Sequence, residues 1–181
     1  MGTRHLISVV LNNEFKVAQY GQWDGYPLGQ GNKIVQFVLN NLMTNEGLEI
    51  FKNKIKECYY INLEEIEEVG EYVPQEFDRD TGSEILDLIL ERDTPVSLIN
   101  NINFASDSLF CEWAYVLDLD NQILEVYEGF NKKTPIGRFA SFPSVSDEDN
   151  YKPITLIKSY SFSELNKDTM ELLNKELEVE E

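Results

Sequence analysis

The apolar pattern starts with a period of two. Residues 6–11 (LISVVL) and 15–20 (FKVAQY) are β-rich runs around Asn12, Asn13 and Glu14, which predicts an N-terminal hairpin with an Asn-bearing turn. The period then lengthens. Ile34, Val35, Phe37, Val38 and Leu42 predict a helix entered from Gly31 and Asn32, and Leu48, Phe51, Ile55 and Cys58 trace the buried stripe of a second helix that Thr44 can cap. Residues 62–80 are acidic and end in Gly, Pro and Asp signals, so a short exposed helix followed by a loop is expected there. Thr81 and Glu84 have capping-box spacing before a helix whose Ile85, Leu88 and Ile89 share a face.

Alternation returns over residues 108–130. Cys111, Trp113, Tyr115 and Leu117 oppose Phe110, Glu112, Ala114 and Val116, the chain turns at Asp120 and Asn121, and it comes back through residues 123–127 as a longer hairpin. Residues 131–152 read as a long surface connection of the kind that forms lids or binding loops. A strand over 153–160 follows, then a capping box from Ser161 to Glu164 for a last helix bearing Leu165, Met170, Leu172, Leu173 and Leu177, with a fraying tail at EVEE. Two hairpins separated by helices give an α+β class with mainly antiparallel sheet, and 181 residues suit a single domain, 1–181.

Charge changes the picture in one region. Residues 1–56 hold six basic and four acidic side chains, residues 57–131 two and nineteen, and residues 132–181 seven and ten, so the net charges are +2, −17 and −3 of a total of −18. That middle field repels phosphate backbones, which argues against direct nucleic-acid binding and offers a surface for basic protein partners, as a decoy for a nucleic-acid-binding protein would. No apolar run is long enough to cross a bilayer, so a cytoplasmic protein without membrane contact is expected. Cys58 and Cys111 are expected to be reduced thiols, and no spacing implies a metal or a cofactor.

Candidate chemistry concentrates in residues 18–31, AQYGQWDGYPLGQG. Gly21, Gly25, Gly29 and Gly31, with Pro27, suit an ordered loop whose amides turn inward beside the positive end of the helix near Asn32. The spacing is that of neither a P-loop nor a dinucleotide fingerprint. Arg4, His5, Gln19, Tyr20, Gln22, Trp23, Asp24, Gly25 and Tyr26 are the ligand-binding candidates, with Trp23 or Tyr26 stacking on a polar or anionic, nucleotide-like molecule. Arg4 would pair either with that molecule or with Asp24.

His5 is the only histidine, so any histidine-dependent acid, base or nucleophile chemistry passes through it, with Ser106, Asp107 or Ser108 as the partners to test. Glu112 in an otherwise apolar strand is a catalytic candidate if buried without Arg4, Arg138 or a lysine beside it, and an outward-facing residue otherwise. Asp118–Asn121 reads as a turn rather than a calcium loop.

The blocks MGTRHLISVV, KVAQYGQWDGYPLGQG and FASDSLFCEWAYVLDLDNQILEVYEGF resemble those of a family of uncharacterised proteins found in bacteriophages, bacteria and fungi. The resemblance implies that Thr3, Arg4, Gln19, Tyr20, Gln22, Trp23, Asp24, Gly25 and Glu112 belong to family blocks, and it carries no activity with it. The layout of the two hairpins also resembles N-terminal-nucleophile hydrolases, whose two sheets lie between helix layers. That resemblance implies an amide hydrolase with Thr3 or another hydroxyl as nucleophile, and Thr3, His5 and Glu112 are the catalytic candidates. Removal of Met1 would expose Gly2 instead, leaving Thr3 one residue inside.

Overall fold

The computed structural model describes residues 2–62, 73–145 and 150–180. Its strands are β1 (His5–Leu11), β2 (Glu14–Gly21), β3 (Tyr59–Tyr60), β4 (Ser97–Leu98), β5 (Trp113–Asp118), β6 (Ile123–Glu128) and β7 (Thr155–Ser161). Four α-helices accompany them: α1 (Asn32–Asn41), α2 (Asn45–Glu57), α3 (Glu84–Glu91) and α4 (Thr169–Glu180). The class is α+β. Five strands form one sheet in the order β2-β1-β5-β6-β7, while β3 and β4 make a two-residue parallel ribbon. The described strands therefore form one large sheet and not two stacked ones of similar size.

Both expected hairpins are present, and they meet through a parallel pair. His5 faces Trp113 and Val10 faces Asp118 along β1 and β5, whereas the other neighbours in the sheet are antiparallel. Parallel β1 and β5 put the two hairpin tips at the same end of the sheet. There the Asp120 carboxylate accepts from Asn12 N and Asn13 N, each at 2.9 Å, and Leu119 N donates to Val10 O at 3.0 Å. Asn12 and Asn13 have φ of 55° and 61°, the left-handed values that a two-residue hairpin turn requires and that asparagine tolerates.

Alternation along the strands sorts side chains to two buried faces. Ile7, Val9, Leu11, Tyr115 and Leu117 share one cluster with Ile34 and Phe37 of α1, Phe51 and Ile55 of α2, Ile85 and Ile89 of α3, and Met170 and Leu173 of α4. Leu6, Val10, Ala18, Ala114, Val116 and Tyr127 point the other way and are covered by Ala105, Cys111, Phe139 and Ile154. Both cysteines are buried and free. No described helix is long and apolar enough to cross a membrane.

Local signals were read correctly where no distant partner competed. Thr44 Oγ1 accepts from Gly47 N at 3.1 Å and caps α2. The Thr81 box does not form: Thr81 Oγ1 donates to Gln75 O, and Ser83, the residue before α3, gives both its N–H and its hydroxyl to Gln30 Oε1. The box at Ser161 and Glu164 does form, but it closes a single turn, Phe162–Glu164; Asn166 N then donates to Thr169 Oγ1 and restarts the chain as α4. That helix runs to Glu180 through residues expected to fray, with Lys175 on Glu171 one turn away.

The connection after β6 differs from the expected lid. Phe139 is fully buried against Phe15 and Tyr127, and the Arg138 guanidinium binds Glu125 at 2.7 Å and also Asp118. This part of 131–152 is cover for the sheet. Burial alone would raise the Asp118 carboxyl, but hydrogen bonds from Asn121 and Arg138 outweigh it and hold it below its usual range. Most of the expected acidic helix of 62–80 lies outside the described residues.

Asp120→Ala removes two charge-assisted bonds at an exposed tip and is expected to lower the unfolding free energy by about 1 kcal/mol. Asp120→Asn should retain part of it, because one amide oxygen can still accept. Urea denaturation of the three proteins measures the order.

Candidate functional site

The loop after β2 is built around His5. The imidazole is fully buried, and a Cβ placed on its strand partner Gly21 would lie 2.1 Å from Nε2; one on Gly25 would lie 2.8 Å from His5 Cβ. These two glycines are there because the ring occupies the space a side chain would need. His5 Nδ1 lies 3.4 Å from Thr3 O, an acceptor, so Nδ1 carries the proton and Nε2 keeps its lone pair. Nε2 is buried without a hydrogen-bond partner. Burial, with some help from Lys33, pushes the imidazole down to about 4, against the opposing pull of the Thr3 carbonyl and Asp24.

Four of the loop amides are already engaged with protein carbonyls. Gln22 N donates to Arg79 O, Gly25 N to Thr3 O, Gly29 N to Tyr26 O and Gln30 N to Asp24 O, all at 2.8–3.0 Å. The helical path moreover begins at Pro27, where a wide turn, Pro27–Gly31, leads into α1 with Gly31 already right-handed. The expected positive end near Asn32 is thus inside a continuous helical run, and Asn32 N donates to carbonyls of Gly29 and Pro27.

Residues 75–83 hold the loop from outside. Gln19 Nε2 reaches Asp78 O at 3.4 Å, Trp23 Nε1 donates to Asp80 Oδ1 at 2.7 Å, and buried Gln30 bridges Trp23 O and Ser83. Tyr20 OH donates to Gln22 Oε1 and its ring meets Phe104 edge-on. Tyr115 OH donates to Gly25 O at 2.8 Å from the centre of the sheet. Gln30, Asp78, Asp80 and Ser83 were missed as site-building residues. Their sequence context, a glutamine between glycines and acids in an acidic run, carries no local signal of these long-range bonds.

Arg4 and Glu112 belong together and apart from His5. Glu112 Oε1 accepts from Arg4 N at 3.2 Å and lies 3.7 Å from Arg4 Nε, while the guanidinium stands 4.6 Å from the Phe110 ring centroid. Arg4 is therefore the partner that Glu112 needed, and Asp24 is not its counterion. Asp24 itself has φ of 57° and accepts from Tyr26 OH at 3.4 Å. Trp23 and Tyr26 keep 46% and 41% of their surface exposed.

His5 makes no hydrogen bond to a hydroxyl among the described residues. Ser108 Oγ is occupied with Asn131, and of Thr3 the carbonyl, not the hydroxyl, contacts the imidazole. The four described cavities are lined by other residues than 18–31. No group of three or more metal-ligating side chains occurs among the described residues.

A different arrangement lies on α3. Glu84, Asp87 and Glu91 recur at three and four residues, so they form one outward ridge opposite the buried Ile85, Leu86 and Ile89. With Gln75, Leu88 and Arg92 they line a groove of about 390 Å³, and Glu84 and Asp87 also line a second groove with Lys33, Gln36 and Asn40. Burial and the neighbouring Glu91 and Glu84 carboxylates push the Asp87 carboxyl up. Arg92 is committed to Glu76 by two bonds of 2.8 Å. The acidic count of residues 57–131 takes in this region without singling out the face; the three- and four-residue spacing of Glu84, Asp87 and Glu91 is the signal that could have found it.

Gly21→Ala forces the His5 ring out of its slot and is expected to cost about 2–3 kcal/mol, read as a fall in the thermal midpoint. The lowered folded-state pKa means that the unfolded chain takes up a proton first as pH falls below 6.5. His5 therefore withdraws stability between pH 6.5 and about 4, by about 3 kcal/mol in full, and nothing further below that. The sole histidine gives one imidazole Cε1–H resonance, and a titration midpoint near 6.5 in the folded protein refutes the assignment.

Comparison of the chain with protein-family models, with curated proteins and with solved structures gives no match.

Proposed function

We propose that this is an acidic interaction protein that captures a basic protein surface. The observation that carries this is the α3 ridge, where Glu84, Asp87 and Glu91 line one open groove of about 390 Å³. Glu84 already lies 3.7 Å from Lys33, so the crowding falls on Asp87 and Glu91, and a lysine or arginine from outside that enters beside them replaces a like-charge contact with an attraction. The net −17 of residues 57–131 supplies a long-range field of the same sign, which steers basic partners and repels nucleic acid.

The 18–31 loop offers a second function. Trp23 and Tyr26 present exposed rings on either side of Asp24, whose left-handed backbone is of the kind found at ligand clamps. A small polar or anionic molecule stacked there, nucleotide-derived or not, would lie on the loop surface, since its amides face inward to protein carbonyls.

An octalysine peptide separates these. Binding is expected to weaken about tenfold or more between about 50 and 300 mM salt. It should be lost in the Glu84→Gln/Asp87→Asn/Glu91→Gln protein and retained in Trp23→Ala. Equal binding by the triple variant refutes the ridge, and stabilisation of the parent but not of Trp23→Ala by a panel of nucleotides supports the loop.

A further inference from the structure

We propose that the cleft formed by the end of β6, the residues after it and the start of β7 takes a small anion bearing an aromatic or apolar group. The cleft has about 400 Å³, which suits a ligand of one or two rings, and its lining includes Phe130, Lys132, Lys133, Thr134 and Ile136. This site is separate from the α3 ridge and from the 18–31 loop, and it does not depend on the function proposed for either.

Phe130 is the first reason. Its φ is 50°, a left-handed conformation that costs a bulky residue free energy, and its ring is 55% exposed, so burial does not offset the cost. Hydrogen bonds impose that conformation: Phe130 N donates to Ser108 O at 2.6 Å, Asn131 N to Ser108 Oγ, and Asn131 Nδ2 to Pro153 O. Both Ser108 and Asn131 are buried, so the ring is presented from a rigid base. A strained aromatic held out to solvent on a fixed backbone is a binding wall.

Charge is the second reason. In a chain of net −18, two adjacent lysines line this cleft. Lys132 Nζ is held 4.5 Å from the Tyr151 ring centroid, and Lys133 makes no ion pair among the described residues. Lys133 N is fixed by Asn131 Oδ1 at 2.9 Å, which ties its position to the base that sets Phe130. The Thr134 side chain adds a hydroxyl donor, and Ile136, largely exposed, adds a second apolar wall. Glu128 also lines the cleft and repels an anion from its own side, leaving the cationic lysine end to receive the anion.

Phenyl phosphate is the probe, titrated into the full-length protein and followed by amide chemical shifts. Saturable changes are expected over residues 129–136 with a dissociation constant on the order of 1 mM, and inorganic phosphate should bind at least about fivefold more weakly. Lys133→Gln should weaken phenyl phosphate by about fivefold or more. Phe130→Gly should abolish the preference over inorganic phosphate while leaving the thermal midpoint unchanged or raised by about 2–4 °C, because glycine accepts the left-handed backbone. Equal affinity for the two phosphates, indifference to Lys133→Gln, or a Phe130→Gly protein that melts lower than its parent each overturns the proposal.

Discussion

Everything else in this fold hangs on the parallel pairing of β1 with β5. Each strand belongs to a hairpin that the local sequence specifies, but neither hairpin has enough area to stand alone in water. Their junction makes a sheet of five strands, and it is fastened at both ends by polar contacts. At one end Arg4 O accepts from Glu112 N and Trp113 N, with Glu112 returning a carboxylate to Arg4 N. At the other, Asp120 holds the backbone of Asn12 and Asn13. Arg4 and Glu112, picked out as chemistry, are thus also the stitch that keeps the register between two halves of the molecule.

The glycine loop changes meaning for a related reason. Its glycines leave space, as the composition implied, but at Gly21 and Gly25 the space is taken by an imidazole from the chain itself. A buried neutral histidine, two buried glutamines and a tyrosine hydroxyl then hold the loop in one shape. Polar groups sealed from water contribute specificity of structure when they are paired; here Gln19, Gln30 and Tyr115 are paired, while His5 Nε2, like Arg4 Nε and Ser8 Oγ nearby, has no hydrogen-bond partner. The aromatic side chains left outside, Trp23 and Tyr26, sit on a frame that does not need to move to meet a ligand.

How much of this was legible follows from what each signal depends on. Periodicity depends only on neighbours in sequence, so both hairpins, the faces of α1 and α2 and the buried alternation around Tyr115 could be read directly. Capping boxes depend on the absence of rivals. Thr44 accepts from Gly47 N as a cap should; Thr81, expected to open a box with Glu84, instead gives its hydroxyl to Gln75 O, and α3 starts after Ser83, which Gln30 holds from far away in sequence. The docking of Arg138 and Phe139 escaped because Arg138 is an ordinary surface residue until Glu125 and Asp118 are placed beside it by the β5–β6 hairpin. Charge counts found the acidic region but not the ridge of Glu84, Asp87 and Glu91 on α3, since a sum has no direction.

The Asp120 contact joins residues 108 and 107 positions apart. On a ribosome, β1 and β2 emerge long before β5, and in that interval the inner edge of β1 has no partner from its own chain. The edge of β1 that pairs with β5 has no partner until residues 113–118 have been made. Such a topology folds late and all at once. A chain ending before Trp113 would carry an unpaired edge on β1, of the kind that pairs with other chains.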